Sequence, residues 1–171
     1  MEKNLTLTGM MGVGKTTIGK RLAKKLNYAF VDIDKIIEKK EDLSISLIFK
    51  NKGEDYFRKI EKELTLKELK KNNSVISLGG GAFINGSIRR CAKKHSISFW
   101  LDVPIGILIK RLKKSKNRPV LSVDKKDESI KKIYFTRKKF YNHANYRIKC
   151  KELTLKQITE KILISYEKSR N

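Results

Sequence analysis

Short apolar runs alternate along the chain with stretches whose apolar residues return every three to four positions. Leu5 to Thr8 reads as a short buried strand, and from about Lys15 to Leu26 the positions Ile18, Leu22, Ala23 and Leu26 recur at helical spacing. Tyr28 to Asp32 reads as a second strand ending on acid, and Ile33 to Lys40 as a turn or two of helix. Ser44 is placed to cap another short helix carrying Leu47 and Ile48, Gly53 breaks the pattern, and a longer helix is predicted from Glu54 to Lys71 through Phe57, Ile60, Leu64 and Leu69. Ser74 to Leu78 and Ile97 to Leu101 are two more buried strands, the first closed by three glycines and the second holding Trp100 as a core residue. Pro104 opens a helix over Ile105 to Leu112. Lys113 to Lys126 has no sustained apolar period and is read as a mobile loop. A helix from Asp127 to Tyr141, a strand from Tyr146 to Cys150 and an amphipathic helix from Thr154 to Tyr166 close the chain.

Strands alternating with helices predict an α/β fold with a parallel sheet covered on both faces. No repeat, low-complexity tract or linker interrupts the 171 residues, so a single domain spanning 1–171 is expected.

Composition narrows the class. Hydrophobic content of 39% with 35% charged residues suits a soluble protein, and no apolar run approaches the roughly 18 to 20 residues of a membrane span. The first residues show no export signal, so a cytoplasmic location is expected. Cys91, Cys150, His95 and His143 fit no metal-ligand spacing and are read as incidental to chemistry. The net charge of +23 raises the possibility of a nucleic-acid partner, but its lysines are spread over almost every predicted helix, which reads as a solvated surface whose field attracts small anions. No nucleic-acid or membrane partner is expected.

Gly9-x-x-x-x-Gly14-Lys15-Thr16 matches the P-loop pattern in full, with a strand before it and a helix after it. Backbone N–H groups of such a loop, here around Gly12, Val13, Gly14 and Thr17, turn onto phosphate oxygens, and the helix adds its positive end. Lys15 reaches the β and γ phosphates of ATP, and the Thr16 hydroxyl suits Mg2+. The loop alone does not choose between a hydrolase and a kinase.

The acceptor has to be read elsewhere. Asp32 and Asp34 lie at the sheet edge where such folds build their sites, and along a continuing strand they point apart and serve different ligands; a helix cap is the plainer alternative for Asp34. Arg58 and Glu61 are three apart on a helix and can pair, as an ordinary surface couple also would. Gly79, Gly80 and Gly81 follow a buried strand, where close approach of a ligand to the backbone is the expected reason for three glycines. Arg118 and Arg137 stand out because lysine outnumbers arginine nearly everywhere else, and the planar guanidinium suits carboxylate and phosphate.

Together the loop Gly9 to Thr17, Asp32-x-Asp34, Phe57-Arg58-x-x-Glu61, Gly79 to Gly81, Arg118-Pro119 and Arg137 resemble the shikimate kinase family over nearly the whole chain. The resemblance implies a three-layer P-loop kinase fold with a five-stranded parallel sheet, a substrate-binding region at about 33–61, a lid at about 113–126 and a monomeric state. It implies ATP as co-substrate, Mg2+, and transfer to the 3-hydroxyl of shikimate in aromatic amino-acid biosynthesis. Asp34 would hold that hydroxyl and serve as its base or orienter, with Lys15 and Arg118 at the transferred phosphate. Arg58, braced by Glu61, and Arg137 would grip the carboxylate, with Gly79, Gly80 and Gly81 lending N–H groups and Phe49 and Phe57 bordering the ring. Asp32 would reach the metal through water alongside Thr16, and Arg111 would pack on adenine.

Two positions depart from the family pattern. Lys139 stands where a proline is usual, so the helix is free to run on past Arg137 and to seat it differently, and no aspartate is found near the last strand. A related kinase for gluconate or a nucleoside monophosphate is the alternative; it would not require Arg58, Arg137 and the glycines together.

Overall fold

All five residues of β1 (Asn4–Thr8) are buried, on both faces, as expected of the middle strand of a sheet covered on both sides. The computed structural model of the chain describes residues 3–113 and 126–170. Around β1 run β2 (Ala29–Asp32), β3 (Ser74–Ser77), β4 (Ser96–Asp102) and β5 (Tyr146–Lys149), all parallel, in the order β2-β3-β1-β4-β5. The helices are α1 (Lys15–Leu26), α2 (Ile33–Glu41), α3 (Ile45–Leu69), α4 (Gly86–His95), α5 (Ile105–Lys113), α6 (Lys126–Tyr141) and α7 (Leu155–Arg170).

The strand order positions the site. The chain leaves β1 toward β2 on one side and reaches β4 on the other, so the crevice opens at the carboxyl ends of β1 and its neighbour β3. The loop after β1 therefore lies beside the glycines after β3: a Cβ added to Gly80 would sit 3.2 Å from the Met11 amide nitrogen.

Gly53 divides α3 as the sequence suggests, with φ 82° and ψ 171° between two helical stretches. Ser44 caps the first, its hydroxyl accepting from the Leu47 amide at 3.3 Å. Beyond Gly53, Phe57, Ile60, Leu64 and Leu69 are all buried. Helix α4 and the 3-10 turn before it (Ala82–Ile84) were not foreseen. Only Ile88 and Ala92 of α4 are buried, too sparse a stripe to stand out, although Asn85 caps it by accepting from the Ser87 and Ile88 amides. Trp100 is core, 1% exposed, with the Tyr141 ring centroid 5.9 Å away and the Arg147 guanidinium 4.6 Å from its own. Among the described residues no helix is long and apolar enough to cross a membrane.

Candidate active site

The P-loop bends where its glycines allow. Gly9, Gly12 and Gly14 have φ of 137°, 82° and 94°, and a Cβ on Gly9 would also fall 2.8 Å from the Leu101 carbonyl oxygen. Gly14 is the N-cap of α1, which turns the amides of the first helical turn toward the crevice. Lys15 folds back over the loop, its Nζ donating to the Gly9 and Met10 carbonyls at 2.9 Å each. Arg111, in the last turn of α5, approaches the same loop and donates to the Gly12 carbonyl at 3.4 Å.

Asp32 is the last residue of β2 and Asp34 lies in the first turn of α2, so the two separate because the chain turns into a helix, not because they alternate along a strand. Asp32 sits at the N-cap position without capping through its side chain; its Oδ2 accepts from the Thr16 hydroxyl at 2.7 Å. That pair is one hydroxyl and one carboxylate. Both are hard oxygen donors, and among the described residues no group of three or more His, Cys, Asp or Glu is gathered for a metal. This fits Mg2+, which keeps waters and takes phosphate oxygens, better than an ion needing a full protein cage.

Asp34 is half-buried on the cleft wall. Desolvation pushes its carboxyl above the usual aspartate range, against the pull of the Lys15 ammonium and with a further push from Asp32. Glu61, 2% exposed, is likewise raised by burial, against the guanidinium of Arg58. Arg58 Nη1 donates to Glu61 Oε2 at 2.7 Å, while Nε and Nη2 donate to Glu54 Oε1 at 3.2 and 3.1 Å. Two carboxylates thus hold one guanidinium, and the pair is no surface couple.

Two of the three glycines also meet neighbours that the sequence did not announce. A Cβ on Gly79 would collide with Glu61 Oε1 and lie 2.8 Å from Asp34 Oδ1, and one on Gly81 would lie 2.5 to 2.8 Å from the Arg58 guanidinium. Gly79 and Gly81 make room for this protein's own charged side chains, and none of the three needs a positive φ. Gly79 does not border the cleft; Gly80 and Gly81 do.

Removing Arg58 leaves Glu61 buried beside Asp34 without its partner. Arg58→Ala is therefore expected to lose about 3 kcal/mol of stability near neutral pH. The sign with pH follows from Glu61, whose raised pKa lets it become neutral as pH falls, so the deficit narrows in acid. Urea unfolding of both proteins across pH 4 to 8 checks this; a deficit that stays constant would place Glu61 outside the effect.

A cleft of about 1140 Å³ gathers most of the residues singled out by sequence: Gly12, Gly14, Lys15, Thr16, Thr17, Asp32, Asp34, Phe49, Phe57, Arg58, Glu61, Gly80, Gly81 and Arg137 all line it. The Phe49 and Phe57 rings meet at 4.7 Å between centroids. Val13 is buried behind the loop, and Arg111 stays outside the lining. Arg118 and residues 114–125 of the expected lid lie outside the described residues. With Lys139 in place, α6 does run on unbroken to Tyr141, yet Arg137 still reaches the cleft, 8% exposed. Among the described residues no carboxylate lies within ion-pair distance of Arg137. A guanidinium on the cleft wall suits an anion by its charge and its planar donor fork.

Sequence reasoning missed Met11, Lys35, Glu38 and Ile45 along the wall. Glu38 Oε1 accepts from the Ile45 amide at 3.2 Å, tying α2 to the start of α3, and its Oε2 accepts from Lys35 at 2.7 Å. The spacing of Lys35 and Glu38, three apart in a helix, was a legible signal; the tie to Ile45 was not.

The model of the family described as shikimate kinase matches residues 11–167. A shikimate kinase of Sulfurihydrogenibium sp. (strain YO3AOP1) is 44% identical over 161 residues, covering 94% of this chain and 96% of its relative. The structure of shikimate kinase from Acinetobacter baumannii in complex with shikimate superposes with a TM-score of 0.94 at 30% identity, covering 99% of this chain and 96% of that one. A gluconokinase from Sinorhizobium meliloti, at 13% identity and a TM-score of 0.59, shares the fold alone. The P-loop, the sheet order and the near full-length match agree: this chain belongs to the shikimate kinase family.

Proposed function

We propose that the protein phosphorylates the 3-hydroxyl of shikimate with ATP, as a cytoplasmic monomer acting on a free small molecule. The observation that carries this reading is the meeting, in one cleft, of a P-loop with a desolvated carboxylate and two guanidinium groups, Asp34, Arg58 and Arg137. A hydrolase has no use for two arginines set to receive a carboxylate.

In this reading Arg58, oriented by Glu61 and Glu54, and Arg137 hold the acceptor carboxylate, and the Gly80 backbone and the paired rings of Phe49 and Phe57 border its ring. Asp34 takes the proton of the attacking hydroxyl. Its desolvated carboxyl is a better base than an exposed aspartate, because the same burial that raises its pKa disfavours its charge. Lys15 turns from the loop carbonyls to the γ phosphate, and the loop from Gly12 to Thr17 cradles the phosphates while Arg111 meets the adenine. Thr16, with Asp32 through water, would hold Mg2+, which when bound would supply charge neutralisation at the phosphate oxygens. Positioning and charge are what phosphoryl transfer asks of a protein.

The test is ADP release from MgATP by the purified protein with shikimate, gluconate, nucleoside monophosphates or no acceptor. Turnover with shikimate alone is the expected result. Turnover that ignores the acceptor, or that prefers gluconate or a nucleotide, would leave the P-loop reading standing and overturn the acceptor site.

A further inference from the structure

Tyr141 ends α6 with no exposed surface, and its ring packs against Trp100. Packing alone needs only a phenylalanine there, because a buried hydroxyl has to recover the hydrogen bonds it loses to water. This hydroxyl recovers them at the cleft. It donates to the Gly80 carbonyl at 2.5 Å, with the Arg137 guanidinium near enough for its charge to act on the phenol.

The helix makes that arrangement. Arg137 and Tyr141 are four apart on an unbroken α6, so they share a face, and the tyrosine leans back over the turn that carries the arginine. Gly80 completes it, since a Cβ there would sit 3.4 Å from Arg137 Nη1. Burial pushes the phenol up to about 12, so it remains a donor throughout the working range of the enzyme.

We infer that Tyr141 is a positioning residue for the acceptor: its hydroxyl pins the Gly80 carbonyl and so holds the turn against which the Arg137 guanidinium lies, fixing the separation and angle of two groups that face the acceptor. The inference rests on the proposed function and deepens it. Without that bond the Gly80–Gly81 turn loses what pins its carbonyl, and Arg137 keeps its charge beside a turn that no longer fixes its place. The consequence belongs to acceptor binding and not to the nucleotide, whose loop Tyr141 does not bond.

Tyr141→Phe keeps the ring on Trp100 and removes only the tie. Steady-state kinetics are expected to show the shikimate KM raised about tenfold, with kcat and the ATP KM within about twofold of wild type. In an Arg137→Ala background the same substitution should raise KM by much less, because no guanidinium is left to orient. An unchanged shikimate KM overturns the inference. So does an effect that multiplies in full on top of Arg137→Ala, or equal losses for both substrates alongside a lowered unfolding temperature, which is what a packing role alone gives. Wild-type turnover is measured first: its absence with shikimate refutes the proposed function and this inference with it, whereas wild-type turnover beside an unmoved KM in Tyr141→Phe refutes the tie alone.

Discussion

Asp34→Asn is expected to lower turnover with shikimate by roughly 10²–10⁴-fold while ATP affinity stays within about twofold, the range a positioned general base supplies. Asparagine fills the same space and cannot take the proton. The same exchange carries a second, opposite effect on stability. In the folded protein the Asp34 pKa is raised, so the native state holds a proton that the unfolded chain releases. Stability therefore falls as pH rises from the ordinary aspartate range through the raised value, and above it the desolvated charge is a standing cost. The asparagine variant escapes that cost and should unfold at a higher temperature than wild type at pH 7, the difference closing in acid. An inactive enzyme with a raised melting temperature separates lost chemistry from lost folding. Wild-type turnover in the asparagine variant would remove Asp34 from the chemistry. In the wild type, kcat/KM should decline on the acid side at a pH above the usual aspartate range, since only the ionised carboxylate accepts a proton.

Gly79→Ala is the other large effect, and it arises from one methyl group. Gly79 is not in the left-handed region, so alanine suits its backbone; the obstacle is lateral. The new Cβ would meet Glu61 Oε1 and stand 2.8 Å from Asp34 Oδ1, the first carboxylate buried and the second desolvated on the cleft wall. Moving Glu61 disturbs Arg58, and moving Asp34 misplaces the base, so turnover is expected to fall about 100-fold, the scale that misplacement by ~1 Å produces. Overpacking of this kind costs about 1 to 3 kcal/mol, leaving a folded protein. Gly86→Ala is the control: its Cβ would meet nothing closer than Arg90 Nη1 at 3.4 Å, and activity should be unchanged. Kinetics of Gly79→Ala within twofold of wild type would mean that the two carboxylates yield without consequence.

The strands were legible because apolar runs of four or five residues bounded by glycine, acid or asparagine have few other uses in a chain of this composition. The P-loop was legible because its function is performed by backbone conformation, and Gly9, Gly12 and Gly14 are where that conformation demands glycine. Helix α4 escaped because it buries only Ile88 and Ala92, and its remaining positions carry the lysine and arginine that mark every outer surface here. The Arg58–Glu61 pair was visible as a spacing, but the sequence left open whether it was buried. Depth came from packing against α2 and the glycine turn, and depth is what converts an ordinary ion pair into an orienting one.

What the amino-acid sequence determined by itself is local: which segments are strand or helix, where the loop must bend, and which side chains can pair one turn apart. These follow from backbone sterics and from periodicity, which neighbours along the chain express without help. What only the tertiary structure decided is the meeting of distant segments. The order β2-β3-β1-β4-β5 brings the turn after β3 against the P-loop, and α3 and α6 bring Arg58 and Arg137 to that turn from positions far apart in sequence. The triple glycine shows the difference most plainly. Its sequence announced that something comes close to the backbone; packing decided that the carboxylates of Glu61 and Asp34 and the guanidinium of Arg58 do so, because desolvation and charge are properties of the assembled site and not of any one segment.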